Sequence, residues 1–235
     1  MGPKKIENKR KEVEIQAGPY TIKPTDTEKL LGAHLHESMQ WNNHIRDHSS
    51  SIMKQLNTRI NGLKKIARTA TFSTRLMIAN GAVMSKLVYL ITVWGGAQEY
   101  LLTVLQVQQL TAARAVCGFY SRFWSKRKLL SRVGWLSVRQ LVYFHTVLQV
   151  HKTIKSGKPA SLYNAFSTEY PYRTRNAEMG RIRFGENFHC RSRLSFKNRA
   201  VLDYNRIPAE VLRGAVTVKL KLRHWVKQNI PIDRG

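Results

Sequence analysis

The spacing of apolar positions changes along the chain, and each change predicts an element. Near the start Glu12-Val13-Glu14-Ile15 alternates, Gly18-Pro19 interrupts, and Tyr20-Thr21-Ile22 alternates again. Period two on both sides of a Gly-Pro pair predicts a short β-hairpin, and a further strand is expected over Lys29 to His36. From Asn42 or Asn43, either of which can cap, apolar residues recur at Ile45, Ile52, Leu56, Ile60 and Leu63. These form one stripe of an amphipathic helix. At about 100° per residue, Lys54, Lys64, Lys65 and Arg68 fall well away from that stripe, leaving a basic face opposite the core face.

Further along the pattern is helical. Ser73 can cap a helix through Arg75, Leu76, Ile78, Val83 and Met84 to about Tyr89, apolar on all sides and so expected to be buried, with Gly95-Gly96 ending it. A third helix, Tyr100 to Cys117, carries Leu101, Leu105, Gln108, Gln109 and the small pair Ala112-Ala113, and Gly118 stops it. Another begins at Ser137, with Val138, Leu141, Val142, His145 and Leu148 at helical spacing, and closes at Gly157-Lys158-Pro159. Periodicity fades between 160 and 200. Pro208 opens a short helix, and Thr217 to Gln228 reads as a last one with Leu220 and Trp225 facing inward. Trp94, Trp135 and Trp225 sit at boundaries or on apolar stripes and are expected to anchor helix packing. The fold class expected is α+β, mostly α: a small N-terminal β element, a helical bundle, and an Arg-rich, partly irregular tail ending in a helix.

Charge narrows the function. Forty Lys and Arg against fourteen Asp and Glu give +26, a balance that favours nucleic acid as partner, with acidic membrane surfaces the weaker competitor. With 43% hydrophobic residues over 235 positions, the chain can bury one or two cores rather than remain a basic tail. Met1 to Lys11 is charged without an apolar signal core, and the longest apolar run, Leu87 to Trp94, is too short to span a bilayer. An intracellular protein of nucleus or cytoplasm is expected, not secreted and without a membrane partner. Cys117 and Cys190 make neither a disulfide framework nor a paired-cysteine zinc module; basic neighbours could lower either thiol, but structural thiols are the expected reading.

Candidate chemistry is sparse. Metal-dependent phosphoryl transfer needs clustered carboxylates, whereas Asp26, Asp47, Asp203 and Asp233 are scattered singly. Glu12 and Glu14 share a strand face, expected to be a solvated one. No phosphate-cradling G-x-x-x-x-G-K-[ST] run is present. His34 and His36 would share a strand face while His44 and His48 share a helix face, a spacing that permits four nitrogen ligands. Structural zinc usually includes thiolates, so half-buried histidines near a strand-to-helix turn are expected, with no metal and no cofactor. The best binding pattern is Arg173, Arg175, Arg181, Arg183, Arg191, Arg193, Lys197 and Arg199 interleaved with Tyr170, Tyr172, Phe184, Phe188 and Phe196. Cations hold phosphates while aromatic faces stack bases, a mode suited to single strands or junctions. An arginine-rich surface loop with its aromatics tucked into the body is the competing reading.

The order of short motifs carries more. Lys29-Leu30-Leu31-Gly32-Ala33-His34-Leu35 is followed by Trp41-Asn42-Asn43-His44-Ile45, then Leu87-Val88-Tyr89 with Val93-Trp94-Gly95-Gly96. Leu105-Gln106-x-x-Gln109 with Ala112-Ala113-Arg114, and Val133-Gly134-Trp135-Leu136, come next. Arg193-Leu194-Ser195-Phe196-Lys197-Asn198-Arg199, Tyr204-Asn205-Arg206-Ile207-Pro208 and the Lys219 to Trp225 helix complete the series. Over roughly residues 20 to 230 this order resembles the end of the reverse transcriptase domain of non-LTR (LINE-type) retrotransposons and the region after it.

The resemblance implies three parts: residues 1–40 as a basic arm and the last strands of a palm, 41–157 as a helical thumb, and 158–235 as a basic tail. It implies that Leu31 and Gly32 lie in a primer grip and that the following helices hold a template-primer duplex. The nucleic-acid-binding residues expected are then Leu31, Gly32, Lys54, Lys64, Lys65, Arg68, Arg181, Arg183, Arg191, Arg193, Lys197 and Arg199. The Tyr-x-Asp-Asp turn that carries the family's metal-binding aspartates has no counterpart here, and His36 stands where such sequences often have Asp. The expected function is therefore a fragment that binds RNA or an RNA/DNA duplex and does not polymerise DNA as a single chain, its further partner being the catalytic part of a reverse transcriptase where that is encoded elsewhere. A domesticated, non-catalytic interaction or structural protein is the alternative.

Overall fold

The computed structural model describes residues 14–118, 123–166, 181–183, 195–213 and 217–232. Four short strands, β1 (Ile15–Ala17), β2 (Tyr20–Ile22), β3 (Thr27–Leu30) and β4 (Ala33–His36), precede the helices. These are α1 (Ile52–Ile66), α2 (Phe72–Ala79), α3 (Ser85–Val88), α4 (Ile91–Trp94), α5 (Glu99–Cys117), α6 (Lys126–Val133), α7 (Val138–Ser156), α8 (Ala160–Tyr163), α9 (Phe196–Asn205), α10 (Ala209–Leu212) and α11 (Val218–Asn229). The α+β, mostly α class follows. Among the described residues, no helix is long and apolar enough to cross a membrane.

The expected first hairpin is present around Gly18-Pro19, with Ala17 paired to Tyr20 and Ile15 to Ile22. All six strand residues are exposed, so this ribbon contributes nothing to the core; Glu12 and Val13 lie outside the described residues. The single strand expected over Lys29 to His36 is instead a second hairpin. Leu30 pairs with Ala33 and Lys29 with His34, around a two-residue turn in which Leu31 (φ 49°) and Gly32 (φ 81°) are both left-handed. That is the backbone of a type I′ turn, which glycine adopts freely and leucine only under strain. The strain is held from outside: the Tyr89 hydroxyl, 58 residues away, donates to the Leu31 carbonyl at 2.8 Å.

The helix expected from Asn42 is interrupted. A π-helical turn covers Asn43–Asp47, the chain straightens at His48, and α1 starts only at Ile52. Neither asparagine caps, because each is used elsewhere: Asn42 Oδ1 accepts from the Tyr100 hydroxyl and Asn43 Nδ2 donates to Thr27 Oγ1. The apolar stripe itself is intact, and Ile45, Ile52, Leu56, Ile60 and Leu63 are all buried. The next helix is capped by Thr71, whose side chain accepts from Thr74 N, and not by Ser73, which lies inside it. It continues through a π-helical turn at Asn80–Met84 to α3, and a left-handed Leu90 separates it from α4. Ala79, Val83 and Leu87 are buried, but Leu76, Ile78 and Met84 are only half-buried and Met77 is exposed, so burial on all sides does not hold and one face of this apolar helix meets solvent.

Two buried glutamines join the long helices α5 and α7. Gln106 Nε2 donates to Gln109 Oε1 at 2.9 Å. Gln109 Nε2 donates to the Leu136 carbonyl and Gln106 Oε1 accepts from Val138 N, both at 2.8 Å. The segment they hold is the start of α7, where Ser137 and Gln140 form a reciprocal capping box. Gln140 Nε2 then reaches the Ile230 carbonyl, just past α11. Gly95 shows how closely α4 and α7 approach: a Cβ there would lie 2.4 Å from the Ile91 carbonyl oxygen and 2.7 Å from Val142 Cγ1.

The tryptophans anchor packing as expected. Trp94 is fully buried with Nε1 donating to the Tyr89 carbonyl, Trp135 Nε1 donates to Asn80 Oδ1, and Trp225 stacks on Tyr143. On α11 the register differs from expectation by a fraction of a turn. Leu222 and Val226 are fully buried, whereas Leu220 is 70% exposed. Two helices are not among those expected from the sequence: α6, capped by Ser125, and α9, which with Val150, Phe166 and Ile182 forms a small second core.

The buried amide pair sets a measurable cost. Gln109→Met leaves the Leu136 carbonyl and the Gln106 amide without partners, and an unsatisfied buried group costs about 1–3 kcal/mol. A loss of about 2–4 kcal/mol in urea unfolding is expected; a loss under 0.5 kcal/mol would show that the clamp is not needed.

Candidate nucleic-acid interface

The β3–β4 turn is where the sequence-predicted residues meet cations that the sequence did not single out. Leu31 projects at the tip, 79% exposed, and Gly32 lies over the Tyr89 ring, where a Cβ would sit 3.5 Å from Cε1. Lys86, one turn before Tyr89, holds its ammonium 5.5 Å from the same ring. Burial, then Arg59, then Lys29 push the Lys86 pKa below its ordinary value. Three cationic groups from β3, α1 and α3 thus crowd beside the turn. Among the described residues none of the three has a carboxylate partner; the ion pairs there are Lys23 with Glu14, Arg46 with Asp47 and Arg139 with Glu99.

Arg59 could not be found from helical phase alone. It lies on the flank of the α1 apolar stripe and donates to the Ala82 carbonyl. Lys86 sits in an apolar helix, and its spacing of three from Tyr89 is the one local signal. Lys54, Lys64, Lys65 and Arg68 are all exposed, as the periodicity predicts.

Arg181 and Arg183 flank a residue of the second core. Ile182 between them is fully buried, and Asn205 clamps it through both backbone groups, Oδ1 accepting from Ile182 N and Nδ2 donating to the Ile182 carbonyl, each at 2.9 Å. Both arginines are turned outward as a result. Lys197 is exposed on α9. Arg199 departs from the expected surface role: its side chain enters the protein and donates to the Thr92 carbonyl at 3.0 Å, with Nε and Nη1 buried and unpartnered. One turn along, burial raises the Asp203 carboxyl to about 6, against the pull of Arg199 and Arg206. The reason is α9 itself, whose phase aims Arg199 and Asp203 to the same inner side. Arg173, Arg175, Arg191, Arg193, Tyr170, Tyr172, Phe184, Phe188 and Cys190 lie outside the described residues.

The histidines pack as a structural group. His34 and His44 are both buried, and the His34 and His48 rings are 3.9 Å apart between centroids. The His34 backbone N–H donates to His44 Nδ1 at 3.3 Å, so neutral His44 carries its proton on Nε2. Ser50 lies between the other two rings, 2.8 Å from His34 Nε2 and 3.0 Å from His48 Nδ1. His36 is separate, accepting from Ser38 N. Among the described residues no group of three or more His, Cys, Asp or Glu is placed to hold a metal ion. Cys117 also differs from a reactive thiol: burial raises its pKa, outweighing Arg132 and Arg75.

No protein-family model matches the chain, nor does any curated protein or solved structure.

Burial first, then His34 and Lys86, lowers the His44 pKa from 6.5 to about 4. A folded value below the unfolded one means that the unfolded chain binds the proton first as pH falls. The stability that neutral His44 contributes is complete above pH 6.5 and is lost toward pH 4. His44→Gln retains a hydrogen-bond acceptor without this titration, so the urea-stability gap between wild type and variant should narrow as pH drops from 7 to 4. A gap independent of pH would remove His44 from the acid response.

Proposed function

We propose that this chain is a nucleic-acid-binding fragment like the primer-grip edge, thumb and basic tail of a non-LTR retrotransposon reverse transcriptase, and that it grips an RNA or RNA/DNA duplex without polymerising DNA alone. The observation that carries the reading is the uncompensated trio Lys29, Arg59 and Lys86 beside the strained Leu31-Gly32 turn. Cations crowded together without acidic partners repel one another, and a phosphate backbone relieves that cost while releasing counterions. The turn matching the family's primer grip lies within this cluster, and Lys54, Lys64, Lys65, Arg68, Arg181, Arg183 and Lys197 offer further exposed positive charge. The sequence lacks the aspartate pair that would hold catalytic metals.

Fluorescence anisotropy with an RNA/DNA hybrid tests the reading. With six to ten phosphate contacts, affinity should fall by roughly three to five decades between 50 and 200 mM salt. Replacing Lys29, Arg59 and Lys86 together by Gln should flatten the log-log salt slope by about 2.7, at 0.9 per phosphate contact, and raise the thermal midpoint in low salt. No association at 50 mM salt, or an unchanged slope, would refute it. Primer extension with Mg²⁺ should yield no product.

A further inference from the structure

We infer that α6 and the residue pair before it form a separate binding site for single-stranded nucleic acid, with Trp124 stacking a base and Arg127, Lys128 and Arg132 holding the adjoining phosphates. This rests on the nucleic-acid reading above and extends it to a surface that neither the apolar periodicity nor the family resemblance marks.

The site is a shallow cleft of about 450 Å³ lined by Trp124, Ser125, Arg127, Lys128, Ser131 and Arg132, within the roughly 300–1,000 Å³ of small-ligand sites. Its chemistry is one-sided: three cations, two hydroxyls and an indole, with no carboxylate in the lining. Helical phase explains the arrangement. Leu129, Leu130 and Val133 are buried against the bundle, which leaves Lys128 and Arg132, four apart, in one outer row and Arg127 and Ser131 in the next.

The aromatic component is already engaged by cations in a way that orients both. Lys128 Nζ lies 4.6 Å from the Trp124 ring centroid, and the Arg132 guanidinium lies 4.9 Å from that of Phe72 at the start of α2. Arg132 is thereby held by a neighbouring helix, while Lys128 and Arg127 remain exposed. Trp124 is partly buried against the main core, and Phe123 beside it is 75% exposed. A half-buried indole beside cations with no carboxylate in the lining matches the sequence-tolerant mode in which bases stack and phosphates are tracked by charge. A duplex keeps its bases stacked inside and cannot use the indole, so the site selects single strands.

The test compares a 20-nucleotide oligothymidine with an abasic strand of the same length. Trp124→Ala should weaken oligothymidine binding about tenfold and change abasic-strand binding less than twofold, with Trp124→Phe retaining most of the affinity. Arg127→Gln with Lys128→Gln should weaken both strands and reduce the salt slope by about 1.4, at 0.7 per contact on single strands. These two positions are exposed, so this pair stands as the test if Trp124→Ala fails to fold by circular dichroism. Equal losses of Trp124→Ala on both strands, or wild-type slopes in the double variant, would overturn the site. Wild-type protein that binds neither these strands nor an RNA/DNA hybrid would overturn the proposed function with it. Hybrid binding with unaltered α6 variants would overturn this site alone.

Discussion

The buried amide pair Gln106 and Gln109 is the constraint on which the rest of this structure depends. Each glutamine sits on α5 among apolar side chains, where an unpaired amide would be costly; they bond to each other, and each makes one bond to the backbone at the start of α7. The register between the two nineteen-residue helices is therefore set by polar geometry, and apolar packing fills in around it. From α7 the same network passes through Gln140 to the end of α11, and Tyr143 passes it to α9 through the Asp203 carbonyl. Four helices distant in sequence are thus located by a handful of directional bonds.

Charge is organised around that frame. The chain carries +26, and the body tolerates it because most of its cations stand on outer faces in solvent, where repulsion is screened. The exceptions are informative. Lys86 is partly buried and pushed down by its neighbours Arg59 and Lys29, and Arg199 is drawn inside, with Asp203 the carboxylate acting on it. The first is a cost that a bound polyanion would relieve; the second is a buried guanidinium whose hydrogen bond goes to the Thr92 carbonyl.

Helical elements with strong caps were legible in the residues. The helix start at Ser137, the Gly118 and Gly157 stops, and the stripe from Ile45 to Leu63 all stand where local rules place them, because each depends on atoms within a turn or two of chain. The failures at the N-terminal end share one cause. Asn42 and Asn43 lost their capping role to Tyr100 and Thr27, and Lys29 to His36 folded back because Tyr89 holds the turn between its halves. Each competing partner is remote in sequence. The same holds for the candidate interface, whose Leu31 and Gly32 were legible as a motif while Arg59 and Lys86 were not.

The amino-acid sequence by itself determined the fold class, most helix positions and the outward basic face of α1, since periodicity, capping and composition are local properties. Tertiary structure alone decided which cations gather beside the β3–β4 turn, which arginine is buried and which residues line the α6 cleft. Those outcomes depend on helix register, and register here is set by Gln106 and Gln109 reaching backbone groups 27 to 32 residues away.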